Sequence, residues 1–443
     1  MDVLFTEAER LGLNGREAVE AARNPLLLIS LPGLLGYSDL STTGTMRAVT
    51  RRYRFCLFHL EMIAAYRSVT SDVFTAEGLQ PVSGSRFARG FLPPTYEREW
   101  EPAADEDRLD KRLKRAEKAA GRILYMLGLD YGVVDIGIGA DGKPVLLGVE
   151  PYPELEQSAA LAFGAALAKY REGRVEESGR SLDATLGADP EFLLMNAEGQ
   201  VVPASAYLPR RGLAGCDHVR IGERLLYPLA ELRPDPSPDP GKLFASIRKA
   251  LYRAAEHIPD RPGMRWLAGG MPARGFALGG HIHLSGLWLN SSLLRVLDNY
   301  LALPLMLIED GRSQTRRPRY GAPGDVRRQP HGGFEYRTLP SWLVTPGITK
   351  GVLGLAALLS SSYRELHQRP LRNFELLRAY YEGDKPKLAV AVKPLIDELH
   401  ELAGYRRYEH MVSPFLRMVH LGISWDESRD IRMGWKIGPW KER

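Results

Sequence analysis

Cysteine is nearly absent. Cys56 and Cys216 are the two in 443 residues, which excludes a disulfide framework and a zinc-type spacing and fits a reducing compartment. No apolar run reaches the roughly 18 residues that would cross a bilayer, so no membrane partner is expected. The opening MDVLFTEAERLGLNG carries acidic residues and no long apolar core. No secretory signal is therefore expected, and the expected location is cytoplasmic. Excess charge is small: a net +5, with pI near 9.0, is spread along the chain. It suits acidic small ligands, and no basic module interleaved with aromatics supports nucleic-acid binding. Lysine does not occur before Lys111. The glycine-bearing stretch Gly33–Gly44 lacks GxxxxGK[ST] spacing and reads as a plain connection. Internal repeats and low-complexity tracts are missing too.

What is present is an ordinary globular composition, 44% hydrophobic and 26% charged, long enough for two or three domains. Residues 1–30 read as a helix followed by an apolar strand in NPLLLISLPG. Residues 46–70 read as helical, 80–104 as irregular, and 105–127 as a charged helix with a solvated face. Two apolar strands flank the turn Asp141-Gly142 and predict a hairpin over 129–151. Its Asp135 and Glu150 are either a magnesium pair or ordinary polar positions. A helix at 157–171 and the charged stretch Arg171–Arg180 place a boundary near 180, giving domains 1–180 and 181–443. Beyond it come strands at 185–195 and 200–205, a loop at 209–224, a strand bearing Glu231, and DPSPDP capping a helix at 241–257. An apolar helix over Leu293–Leu307, an arginine-rich loop at 311–333 and helices from 346 to 421 complete the reading. Aromatic anchors in the tail IRMGWKIGPWKER are expected to dock on the body.

The chemistry gathers around Gly279-Gly280-His281-Ile282-His283-Leu284-Ser285-Gly286. Alternation between glycine pairs has the period of a strand, so His281 and His283 face the same way, roughly 6.6 Å apart. Alone, HxH can equally be two hydrogen-bonded polar residues. Three more stretches repeat the i, i+2 pattern: Asp189-Pro190-Glu191, Glu231-Leu232-Arg233 and Glu335-Tyr336-Arg337. Each sits in an apolar run, where an unpartnered charge costs several kcal/mol. Four such strands facing one cavity would line it with carboxylates, imidazoles and arginines, a fit for a metal-bound polyphosphate.

Taken together and in this order, the four stretches resemble the phage-type amidoligases (carboxylate–amine ligase type 2) of the glutamine synthetase-like superfamily, over residues 185 to about 360. The resemblance implies an α+β fold, with a glutamine synthetase-like antiparallel sheet and flanking helices. It implies ATP-dependent amide or peptide bond formation through an acyl phosphate on an amino acid or peptide. ATP and Mg²⁺ or Mn²⁺ are the implied cofactors. By the same resemblance Asp189, Glu191, Glu231, His281 and Glu335 are candidate metal ligands, with Asp217 a less clear fit. Glu191, Glu335, Arg337, Arg317, Arg319 and Arg327 are candidate catalytic residues. His281, His283, Arg233 and Ser285 are candidate nucleotide contacts. Residues 129–151 look like the last part of an ATP-grasp domain, but Gly148 and Glu150 stand where that family has glutamate and asparagine, and no lysine lies upstream. A truncated or degenerate ATP-grasp-like α/β domain is therefore expected before the ligase domain. Competing readings are a phosphagen-kinase-like phosphotransferase, an HxH metal hydrolase and an inactive assembly protein; homo-oligomerisation is left open.

Overall fold

The computed structural model describes residues 2–37, 49–68, 100–103, 110–178, 184–221, 224–330 and 332–438. The chain forms two compact units, Met1–Gly179 and Arg180–Arg443. Among the described helices none is long and apolar enough to cross a membrane.

In the first unit, α1 (Asp2–Arg10), α2 (Arg16–Arg23) and α3 (Pro25–Leu34) precede β1 (Val49–Phe58), β2 (Glu61–Ser68) and β3 (Trp100–Pro102). Then come α4 (Lys111–Met126), the hairpin β4 (Tyr131–Gly139) and β5 (Pro144–Glu150), and α5 (Gln157–Ser178). The strands form one sheet in the order β3-β2-β1-β4-β5, and every pairing is antiparallel. Two sequence expectations are corrected here. The apolar run at 25–34 is a helix, because the Asn24 side chain accepts from the Leu26 and Leu27 amides at 3.1 and 3.3 Å and Pro25 has the φ of a first helical residue. The segment read as helical at 46–70 holds β1 and β2, joined at His59-Leu60, both at positive φ (47° and 70°), as a twisted two-residue hairpin turn requires. Its alternation had a period of two: Cys56 and Phe58 enter one core cluster with Tyr131 and Phe163. Of the two readings open for Asp135 and Glu150, the contacts match ordinary polar positions. Both Asp135 oxygens are taken by Arg54, at 2.8 and 2.9 Å, while Glu150 accepts from its own neighbour Tyr152.

In the second unit the strands are β6 (Thr185–Ala188), β7 (Glu191–Met195), β8 (Val201–Val202), β9 (Ala214–Ile221), β10 (Arg224–Leu232), β11 (Arg265–Leu267), β12 (Ile282–Ser285), β13 (Val326–Arg328) and β14 (Phe334–Tyr336). The helices are α6 (Pro240–His257), α7 (Ser291–Leu297), α8 (Leu303–Leu307), α9 (Pro346–Ser362), α10 (Phe374–Glu382), α11 (Lys385–Glu401), α12 (Tyr405–His420) and α13 (Ile431–Trp435). Two antiparallel sheets result, β11-β7-β10-β9 with β8 on β7, and β13-β14-β12-β6. The α+β expectation holds.

The strand expected over 185–195 is broken. At Asp189-Pro190 the chain leaves one sheet and enters the other: Ala188 pairs with Ile282 and Glu191 with Glu231. Pro190 has no N–H to continue a ladder. Two more expectations fail nearby. The strand at 200–205 shrinks to Val201–Val202, and the presumed loop at 209–224 contains β9. Beneath the sheets Phe192 stacks on Trp266 at 4.9 Å. Helix α9 is buried along most of its length and meets α12 closely at Gly351, where any Cβ would collide with Phe415. Of the tail's aromatic anchors, Trp435 docks on the body and donates to the Leu343 carbonyl at 2.7 Å, and Trp440 lies outside the described residues.

Candidate functional site

The break at Asp189-Pro190 determines the geometry. Because the chain changes sheets there, Asp189 and Glu191 serve two neighbouring groups rather than one strand face. Asp189, His281 and Glu335 form one potential ligand set, and Glu191, Asp217 and Glu231 the other, each with its donor atoms within 4.8 Å of one another.

In the first set, His281 Nδ1 lies 3.1 Å from Asp189 Oδ1 and 3.1 Å from Glu335 Oε1, and His283 Nε2 lies 3.2 Å from Asp189 Oδ2. The two imidazoles do share a face, as the alternation required. Asp189 Oδ1, His281 Nδ1, His283 Nε2 and Glu335 Oε1 are all buried, and none has a hydrogen bond of acceptable geometry. Glu335 is 0% exposed, yet its other oxygen is fully occupied: Oε2 accepts from Arg327 Nε at 2.7 Å and Gln329 Nε2 at 2.9 Å. Arg337 Nε approaches Oε1 at 3.1 Å. One oxygen is held and the other left over.

In the second set, Glu191 and Glu231 are directly opposite on β7 and β10, and Asp217 sits diagonally on β9, opposite Leu229. Glu191 Oε2 accepts from the Gly279 amide at 2.7 Å. Glu231 is paired with Arg233, whose guanidinium crosses the bare backbone of Gly215. A side chain at 215 would block it.

The protonation balance records the crowding. Burial, followed by the nearby carboxylates Asp217, Glu231 and Asp189, pushes the Glu191 carboxyl well above its usual range despite the Gly279 amide. Burial and the charge of Asp189 push Glu231 up to about 8, against the pull of Arg233. Burial would also raise Asp189, but His281 and His283 outweigh it and hold that carboxyl below the ordinary range. Burial depresses His283, while Asp189 more than compensates and raises it.

Buried ligand atoms that converge without hydrogen bonds, beside a Glu231 carboxyl that keeps its proton up to about 8, form a setting whose charge balance a divalent cation would complete. The donor sets fit the group: three carboxylates suit a hard ion, and two carboxylates with one imidazole suit Mg²⁺ or Mn²⁺.

The remaining expected residues divide sharply. Arg233, Arg327 and Arg337 reach the clusters. Ser285 ends β12 half-buried opposite Thr185 and, among the described residues, belongs to neither ligand set. Arg317 is a correction. It is buried, bonds Glu309 at 3.0 and 3.1 Å and lies over the Tyr380 ring at 4.9 Å, so its charge is spent inside the fold. Arg319 is exposed beside the Tyr320 ring and joins no cluster. Arg312 and Arg316 likewise serve Asp310 and the Thr338 and Leu339 carbonyls. Sequence reasoning left Asp217 outside the ligand set because its strand was read as a loop. It also missed Gln329, for which the signal was available: Gln329 follows Arg327 by two positions, just past the end of the strand facing Glu335.

Residues 186–437 match the family model described as phage phiEco32-like COOH.NH2 ligase-type 2, more than half of the chain. The chain belongs to this family of carboxylate–amine ligases. The match runs past residue 360, the limit of the sequence resemblance, and takes in α10 to α13. A bifunctional glutathione synthetase from Pasteurella multocida is similar at 10% identity and TM-score 0.36, over 60% of this chain and 53% of that one. The ligase therefore spans about half of that protein. A structure described as a GmaS/ADP complex is similar at 14% identity and TM-score 0.29, over 63% of this chain and 77% of the other. At these scores neither likeness carries a structural argument. No curated protein matches the chain.

Proposed function

We propose that this ligase forms an amide or peptide bond by activating a carboxylate with ATP, through an acyl phosphate, on an amino acid or peptide substrate. A carboxylate oxygen does not leave when an amine attacks at neutral pH. Transfer of the γ-phosphoryl group breaks the terminal P–O bond of ATP and makes that oxygen part of a good leaving group. The amine nitrogen then forms the C–N bond, phosphate departs, and the amine loses a proton. A bound divalent cation would supply charge neutralisation for the polyphosphate.

One observation carries this reading: the convergence of Asp189 Oδ1, His281 Nδ1, His283 Nε2 and Glu335 Oε1, buried and without hydrogen bonds. On this reading Asp189, His281 and Glu335 hold one cation, and Glu191, Asp217 and Glu231 a second. Arg327 and Gln329 fix Glu335 so that Oε1 faces inward. Arg327 and Arg337 place positive charge where transferring phosphoryl oxygens would be stabilised. Arg233 orients Glu231, and His283 orients Asp189. In the first unit Arg54 neutralises the strand aspartate Asp135, and we assign that unit the degenerate ATP-grasp-like role. The working location on this reading is the cytoplasm.

The test is ADP and phosphate release from Mg-ATP with a panel of amino acids and peptides, with mass analysis of the product. Release should require both an acid and an amine, and the product should weigh the sum of the two less water. A stable phosphorylated product would instead identify a phosphotransferase. Glu191→Ala and Glu335→Ala should each lose at least a hundredfold in turnover while remaining folded. Full activity in both would end the assignment of metal roles.

A further inference from the structure

The segment from Gly269 to Gly280 takes no part in the chemistry above, yet it is pinned at both ends beside it. At its start the Gly270 and Met271 amides both donate to the buried Glu427 carboxylate, Met271 at 2.9 Å. At its end the Gly279 amide donates to Glu191 Oε2 at 2.7 Å, and its carbonyl accepts from the Glu191 amide at 3.0 Å. The neck is closed by Leu278, whose amide donates to the Gly270 carbonyl at 3.0 Å. The residues between form a compact loop of the Ω type. At its tip Ala273 bridges Phe276, with Gly275 at φ 88°.

The position of this tip follows from what its underside touches. Ala273, Phe276 and Leu278 pack against Leu193 and Leu229. Leu193 lies two residues beyond Glu191 on β7. Leu229 lies two before Glu231 on β10 and directly opposite Asp217. Two positions along a strand span about 6.8 Å, so the loop sits one row of side chains from the carboxylates. Arg274 is at the tip and exposed. Its guanidinium forms no ion pair or hydrogen bond among the described residues. The arginines inside the site are committed to Glu231 and Glu335; Arg274, on the loop beside it, has no such carboxylate among the described residues.

We propose that Arg274 binds a substrate carboxylate that does not react, so that one of the two joined molecules is a free amino acid or the C-terminal residue of a peptide. The inference rests on the ligase reading for its chemistry. A spectator carboxylate held at the mouth of this site leaves water only if a cation meets it, and a guanidinium meets it in two parallel hydrogen bonds. Because the loop is tied down at neck and tip, little ordering remains to be done on binding.

The test is calorimetric titration of the full chain, with Mg²⁺ and a non-hydrolysable ATP analogue present. The probes are free L-amino acids and dipeptides, each beside its C-terminal amide. In at least one pair the wild type should bind the free carboxylate tenfold or more tightly than the amide. Arg274→Ala should lose that preference with the amide bound as before, and Arg274→Lys should keep part of it. In ADP-release assays the KM that rises tenfold in Arg274→Ala, that of the acid or of the amine, shows which partner carries the spectator group. A preference that survives in Arg274→Ala comes from another residue and overturns the proposal, as does a wild type with no preference across the panel. Failure to bind the ATP analogue would sink the ligase reading alone, since the carboxylate titrations decide the role of Arg274 without it.

Discussion

Removing the ionisable group from position 231 should flatten the pH dependence of stability in the absence of divalent cation. In the fold the Glu231 carboxyl keeps its proton up to about 8, against 4.5 when unperturbed. The folded state therefore binds the extra proton throughout that interval. This contribution to stability is complete below about pH 4.5 and is lost as pH rises through about 8, with a slope of about 1.4 kcal/mol per pH unit. Between pH 6 and 8 the group alone costs about 2 kcal/mol. For a body the size of the second unit that corresponds to a melting temperature lower by roughly 5–10 °C. Glu191 and His283, both raised, act in the same direction. Thermal unfolding of wild type and Glu231→Gln, measured from pH 6 to 9 in chelator and again in millimolar Mg²⁺, reads the effect. The wild type in chelator should fall steeply, Glu231→Gln should fall less, and Mg²⁺ should restore the wild type most at the alkaline end. Parallel curves for the two proteins in chelator would refute the placement of a protonated, buried carboxyl at 231.

Arg317→Ala should destabilise the fold by about 3–5 kcal/mol, because Glu309 is left buried and unpaired, while divalent-cation affinity measured by calorimetry stays unchanged. Arg327→Ala should do the reverse, keeping the melting temperature within a few degrees and losing about a hundredfold in turnover. In Gly351→Ala the gain in helix propensity, about 1 kcal/mol, is outweighed by the collision with Phe415. A net loss of about 1–3 kcal/mol in denaturant unfolding is expected. Glu427→Ala strands the Gly270 and Met271 amides and the Ser313 hydroxyl, at about 1–3 kcal/mol for each buried donor. Hydrogen exchange at Gly270 and Met271 should rise with it.

Alternation made the core of the site readable. His281, His283, Glu231 and Glu335 sit in short apolar stretches whose period of two puts their side chains on one face whatever the surrounding topology. Arg317 misled because an arginine's destination depends on a distant partner: Glu309 lies at the end of a helix and Tyr380 on another, and nothing local to the loop announces either. Arg319 shows the opposite failure, a loop arginine that faces water. The break at Asp189-Pro190 carried a local sign, since proline cannot extend a ladder, but the sheet that receives each half is set by pairings with strands far along the chain, β12 for one half and β10 and β11 for the other. In the first unit, 25–34 was misassigned because a ten-residue run in which only Ser30 is polar has no readable period. There the discriminating signal was the Asn-Pro pair at its start.

The change of sheet at Asp189-Pro190 has a mechanical corollary. Each ladder owns one set of donors: Asp189, His281 and Glu335 lie on or beside β6, β12 and β14, and Glu191, Asp217 and Glu231 along β7, β9 and β10. Asp189 hangs off the end of one and Glu191 begins the next, two residues apart in sequence, so that short span tethers the two sets. A shift of either layer by a single residue would draw one cluster away from the other, so joint affinity for two ions gauges the alignment of the sheets.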